Sequence, residues 1–250
     1  MEEALQTLKT KRTRTLLVNL LYFTALLCLG VLLFLMNLEG ALYLLAAACV
    51  ACYLLLVRPW SRRYVRGLRE EILRRGLFGG LEDFQYEPKG GVTAEQVQAS
   101  GLVPAGNARA FLSREHVTGC RDGVRVELAD VTFPIREDGL NAMFTGCYVC
   151  LHCPGAQLPS LTVKGGSRAG IQLPKRQMEL LEQACTRVPG SLYLRMEGER
   201  AELLLRGRFL GFRLNPLMQL TQQTLHTSPL PEADRILELV RLMTKGTRPV

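Results

Sequence analysis

The sequence predicts a membrane-anchored α+β protein: an N-terminal transmembrane helical hairpin followed by a mainly antiparallel β domain with flanking helices. Three observations predict it. Two apolar blocks, Leu16 to Met36 and Ala41 to Val57, are separated only by Asn37-Leu38-Glu39-Gly40. Basic residues gather on both outer flanks of this pair, and none lies between the blocks. Further on, period-two segments and amphipathic helices follow one another without regular alternation, which favours an antiparallel sheet over repeated βαβ units.

The first block holds 21 residues without a charge. At about 1.5 Å per residue it extends roughly 30 Å, the thickness of a bilayer's hydrocarbon core. The second becomes long enough when Leu38 and the approach to Trp60 are included. Each must be helical in lipid, where no water satisfies backbone donors and acceptors. Four residues return the chain directly, so the expected anchor is a hairpin with spans 16–36 and 41–57. A cleaved signal peptide fits poorly, because its apolar core is shorter than this first block. Small residues (Ala25 and Gly30 in one span; Ala46, Ala47, Ala48 and Ala51 in the other) suit close helix packing, within the hairpin rather than between copies. No charged residue lies inside either block, which argues against an ion pathway.

Charge placement sets the expected topology. The chain has a net charge of +8, of which +6 falls on residues 1–76 and +2 on residues 77–250. By the positive-inside rule both termini face the cytoplasm and the Asn37–Gly40 turn faces out, as in a multi-pass protein of the cell inner membrane. The high pI is thus a membrane-flank effect and predicts no nucleic acid partner. Cys120, Cys147, Cys150, Cys153 and Cys185 would face a reducing compartment, as thiols or ligands rather than disulfides.

The chain divides into a basic lead (1–15), the hairpin (16–57), a basic juxtamembrane helix (58–76), a Gly-rich linker (77–91) and a cytoplasmic α+β domain (92–250). Trp60 and Tyr64 suit the headgroup layer, and Pro59 allows a bend. Tyr64, Leu68, Ile72 and Arg75 share one helical face, while Arg62, Arg63, Arg66 and Arg69 form a patch for anionic lipid headgroups, each worth about 1 kcal/mol near the surface. Thr93-Ala94-Glu95-Gln96 reads as a capping box whose helix stops by Gly101. Asp122-Gly123 reads as a tight turn into a strand in which Val124, Val126 and Leu128 alternate with charges. Met143 to Cys153 is apolar on both parities and suits a central strand. Leu158 to Leu173 is expected to hold two strands around Lys164-Gly165-Gly166. A helix follows from Pro174, strands at Leu192–Met196, Leu203–Leu205 and Phe209–Leu214, and a last helix from Pro231.

The order of these motifs resembles a bacterial family of two-span inner-membrane proteins carrying the domain of unknown function 3137. The marks are Tyr86-Glu87-Pro88 with Gly91-Val92-Thr93, Ser100-Gly101-Leu102, Val117-Thr118-Gly119, Phe144-Thr145-Gly146, and the stretch from Leu203 to Leu217 before a C-terminal helix. The resemblance implies architecture and a bacterial source. It implies no activity and no site residues.

The segment with most chemical potential is Cys147-Tyr-Val-Cys150-Leu-His152-Cys153, whose spacing suits zinc ligands, with Cys120 or His152 completing a set. On a strand, however, Cys147 and Cys153 point to one face and Cys150 to the other, so the default is buried thiols. Lys164 to Gly170 lacks the Gly-Lys-Ser/Thr ending of a phosphate loop, and a hairpin turn explains it better. Asp130, Glu137 and Asp138 read as a solvated face, and Arg206-Gly207-Arg208 as a turn. The expectation is a non-enzymatic protein without a cofactor. Its cytoplasmic domain would bind a protein partner or lipid headgroups at the phospholipid membrane. The alternative is a membrane-tethered, metal-dependent enzyme or regulator using Cys147, Cys150 and Cys153.

Overall fold

The computed structural model describes residues 2–35, 47–102, 110–137, 140–164, 171–186, 192–207, 209–211 and 227–245. The chain forms two compact units, one holding residues up to Ile72 and the other beginning at Leu73 and carrying the sheet.

In the first unit, α1 (Glu2–Leu35) is one continuous helix, so the basic lead is helical as well. The Thr10, Thr13 and Thr15 hydroxyls donate to the carbonyls of Gln6, Lys9 and Lys11 at 2.9, 3.0 and 2.9 Å, which is how a threonine inside a helix satisfies its hydroxyl. Within α1, Lys9–Leu32 is long and apolar enough to cross a membrane, and it is the only such stretch among the described residues. Only 6% of its apolar window is buried in the protein, whereas a core helix would be mostly covered. The loop Asn37–Gly40 and residues 41–46 of the second block lie outside the described residues.

Burial along α1 is periodic. Arg12, Thr15, Leu16, Asn19, Tyr22, Leu26 and Gly30 are the covered positions, spaced as one helical stripe, and the leucines between them are exposed. Opposite, helical backbone runs unbroken from residue 47 through a π-turn at Tyr53–Val57 into α2 (Arg58–Gly76). The π-turn ends two residues before Pro59, which has no amide hydrogen and crowds the preceding turn. The Tyr22 hydroxyl donates to the Cys49 carbonyl, the Tyr22 and Tyr53 rings lie 6.3 Å apart, and the Arg12 guanidinium acts on Tyr64. Of the small residues expected to line this packing, Gly30 is on the covered stripe, while Ala25, Ala47 and Ala51 are exposed.

The second unit is a seven-stranded antiparallel sheet with helices, an α+β fold. Its strands are β1 (Glu82–Glu87), β2 (Leu112–Arg121), β3 (Val124–Glu137), β4 (Leu140–His152), β5 (Leu158–Val163), β6 (Leu192–Gly198) and β7 (Arg200–Arg206), in the order β1-β2-β3-β4-β7-β6-β5. The central strand is β4, as its two apolar faces predicted. Asp122 and Gly123 both take positive φ, 52° and 81°, the two-residue hairpin geometry that matches strand twist.

Three expectations need correction. Residues 82–87, read as linker, form the edge strand β1; their weak apolar signal reflects an edge position. Phe209–Gly211 is not a strand, and the remainder of that segment is outside the described residues. From Leu158 to Leu173 only β5 is a described strand, since 171–174 is irregular and 165–170 is not described.

Side chains on alternate positions build two cores. On one face Val126, Leu128, Cys147, Val149, Leu203 and Leu205 share a cluster with Leu181 of α4 (Lys175–Thr186) and Ile236 and Val240 of α5 (Pro231–Lys245). On the other, Phe133, Phe144, Tyr148 and Leu204 pack with Val97 of α3 (Ala94–Ala99). The Phe133 and Phe144 rings stack at 4.9 Å.

Candidate functional site

The face beneath α3 is apolar over only half its length. Toward the other end, outward residues of β3, β4 and β7 become polar and align in two cross-strand rows. Register places Arg125 opposite His152 and His152 opposite Arg200; one pleat period along, Glu127 lies opposite Cys150 and Cys150 opposite Glu202. Successive outward residues on a strand are about 7 Å apart and neighbouring strands about 4.8 Å, so the six side chains occupy one small area. They line an open groove of about 710 Å³ together with Thr118, Tyr148 and the α3 residues Gln96 and Ala99.

The α3 wall is fixed by local chemistry. The Thr93 hydroxyl accepts from the Gln96 amide at 3.2 Å, and the Gln96 side chain accepts from the Thr93 amide at 2.7 Å, completing the capping box. At the other end Gly101 takes φ 66°, and Arg195 of β6 donates to the Ser100 carbonyl at 2.9 Å. A helix of six residues is marginal alone, so these contacts decide its position.

The two rows differ in how they are satisfied. Glu127 is engaged by His116 Nε2 at 2.9 Å, and Glu202 accepts from the Tyr148 hydroxyl at 2.8 Å. Arg125 and Arg200 are exposed and make no hydrogen bond or ion pair among the described residues. His152 Nδ1 is shielded from solvent with no hydrogen-bond partner among the described residues, and its Nε2 stands 3.9 Å from Glu199. Burial, reinforced by Glu202 and Glu127, pushes the Cys150 thiol up to about 11. Burial also raises the Tyr148 hydroxyl well above its ordinary range, so at neutral pH Tyr148 is a donor and Cys150 a neutral thiol.

The cysteine motif separates across the sheet. Cys147 and Cys153 are 0% and 4% exposed within the helix-covered core, whereas Cys150 is half-buried in the groove. Burial raises all three thiols: Cys147 well above the ordinary thiol value, Cys153 and Cys150 to about 11. Metal ligation requires thiolate, and the three sulfurs do not converge. Among the described residues no three His, Cys, Asp or Glu side chains are grouped to hold a metal ion. No disulfide links any of the eight cysteines.

Other candidate positions have structural explanations or lie outside description. Asp130 accepts from the Leu210 and Gly211 amides at 2.7 and 2.8 Å, anchoring the chain beyond β7. Arg206 ends β7, Gly207 takes φ 72° with its amide bonded to the Thr145 carbonyl, and Arg208 is not described, nor are Asp138 and residues 165–170. Arg62, Arg63 and Arg66 are exposed on α2, and Arg69 is half-buried. Sequence reasoning missed the pairing of Cys150 with Glu202 and of His152 with Arg200. The only sequence signal was the charged alternation at Arg125-Val-Glu127 and Arg200-Ala-Glu202, which ordinary solvated strands also carry.

Comparison with family models, with curated proteins and with solved structures finds no match.

Proposed function

We propose that this chain is an integral protein of the bacterial inner membrane. Two spans form a helical hairpin, both termini are cytoplasmic, and the sheet domain is a non-enzymatic binding module for a protein partner or lipid headgroups. The covered stripe on α1 carries this reading. A lone span in lipid has no reason to bury one residue in every three or four along a single face, whereas a span paired with a neighbouring helix does. Its contacts run in opposite directions: Tyr22 meets Cys49 and Tyr53, and Arg12, ten residues earlier, acts on Tyr64, eleven residues after Tyr53. Both support an antiparallel pair joined near Asn37–Gly40. Exposed leucines on the remaining surface suit acyl chains, and Arg62, Arg63 and Arg66 suit anionic headgroups, with Arg69 beside them. The resemblance to two-span inner-membrane proteins points the same way.

The test is cysteine labelling in intact cells. A cysteine introduced at Asn37 is expected to react with a membrane-impermeant maleimide before lysis, and one introduced at Glu3 only after it. Protection of position 37 until lysis would overturn the topology.

A further inference from the structure

We infer that the groove row Arg125, His152 and Arg200 binds a single phosphoryl group, the phosphomonoester of a small molecule or of a lipid headgroup. This rests on the reading of the sheet domain as a binding module and supplies the ligand chemistry that reading leaves open.

The argument starts from what is already satisfied. In a sheet with alternating charges, neighbouring Arg and Glu normally neutralise each other across strands. Here the two carboxylates are taken by other partners, Glu127 by His116 and Glu202 by Tyr148. The two guanidiniums have no ion pair among the described residues, although each sits two residues from a glutamate on its own strand. Between them lies His152, whose Nε2 stands 3.9 Å from Glu199. Two exposed guanidiniums without an ion pair among the described residues, flanking an imidazole, form a cationic row that a ligand oxyanion completes.

Charge and shape then select the ligand. Two guanidinium forks and an imidazole offer more donors than the two oxygens of one carboxylate accept, but they match the terminal oxygens and near-double charge of a phosphomonoester. Glu127 and Glu202 lie about 7 Å further along the strands and Asp83 also lines the groove, so a polyanion following it would meet several carboxylates. One isolated phosphoryl group held between the two guanidiniums meets only Glu199, beside His152. The groove volume of about 710 Å³ falls in the range of small-molecule sites.

The test uses the full chain in nanodiscs of zwitterionic phosphatidylcholine. The thermal midpoint of the sheet domain is measured against inorganic phosphate, with chloride at matched ionic strength as reference. The expected result is a midpoint that rises with phosphate and not with chloride, because a ligand bound only by the folded state stabilises it by mass action. In R125Q/R200Q the apparent affinity should fall by about tenfold or more, while the midpoint without phosphate stays unchanged, since both side chains are exposed. A phosphate response equal to that of chloride, or one retained in R125Q/R200Q, overturns the inference. Two further arms separate the sources. Competition by glycerol phosphate in solution identifies a small-molecule site; loss of the phosphate response in nanodiscs containing phosphatidic acid identifies a lipid phosphate already in place. R62Q/R63Q/R66Q serves as control. If it weakens attachment of anionic lipid while the phosphate response persists, the two sites are independent. If the phosphate response fails while the labelling topology holds, only the groove inference falls.

Discussion

The Asp234 carboxylate accepts a hydrogen bond from the Phe78 amide at 3.0 Å, across 156 positions of sequence. Phe78 takes φ 53° and ψ 24°, a left-handed conformation unusual for a bulky side chain, and its ring is buried in the helix-covered core. The turn after α2 is therefore locked in place by the first turn of α5.

Burial raises the Asp234 carboxyl above its ordinary value of 3.8, against opposing hydrogen bonds from Ser228 and Phe78. The folded state thus holds this proton at a pH where the unfolded chain has released it. Stability falls as pH climbs from the ordinary aspartate value through the raised one, and the loss is complete above it. Asp234→Asn keeps an acceptor for Phe78 and removes the titration. Its midpoint should gain on wild type as pH rises from 4 to 7, read by denaturant melts at each pH. Asp234→Ala, which leaves the Phe78 amide unpaired, should cost about 1–3 kcal/mol at neutral pH.

The Cys150 thiol, at about 11, should alkylate slowly at neutral pH, on the order of a hundredfold below a free cysteine by thiolate fraction. After burial, the Glu202 charge is the leading cause. Glu202→Gln should therefore lower the thiol's titration and speed modification at pH 8. Peptide mass spectrometry after timed alkylation reads the rate at this site separately from the other seven cysteines. Equal rates in the two proteins would show that Glu202 does not act on the sulfur.

Gly146 has no room for a side chain. A Cβ there would stand 2.1 Å from the Leu205 carbonyl oxygen of the adjoining β7, which is backbone and cannot rotate away. Gly146→Ala must separate β4 from β7 at the centre of the sheet. A destabilisation of about 3 kcal/mol or outright failure to fold is expected, while Gly67→Ala, where nothing lies within 4 Å and the backbone is helical, should cost nothing or stabilise slightly. Circular dichroism melts of both variants make the comparison.

Tyr22 carries a hydroxyl into an apolar block and places it on the Cys49 carbonyl. Tyr22→Phe should weaken the helix pair by about 0.6 kcal/mol and by no more than about 1.7 kcal/mol, the average and the maximum for hydrogen bonds between membrane helices. Reversible unfolding in mixed micelles would register the loss. No change would mean that ring packing alone supports the pair.

Several of the short motifs in the sheet domain are backbone devices. Thr93 caps α3, Gly101 ends it in the left-handed region, and Gly146 lets two strands approach. Gly119 faces the Glu82 carbonyl at a would-be Cβ distance of 3.0 Å, where β1 meets β2. None of them lies among the charged rows of the groove. Such positions specify backbone geometry without specifying chemistry.

What the sequence by itself determined is what depends on neighbours within a turn or a pleat: the apolar run of α1, the capping box at Thr93, the Asp122-Gly123 hairpin, the two-faced central strand and the amphipathic α5. Each is encoded by residues at most a few positions apart, where periodicity and backbone preference act directly. Tertiary structure alone decided the groove. Cys150 and His152 reach Glu202 and Arg200 only because β7 returns beside β4 after β5, α4 and β6 have intervened, and a shift of one residue in that register would turn all four to the other face. The polar rows exist because two distant strands pair in one register, and pairing energy of that kind has no local signature in the chain.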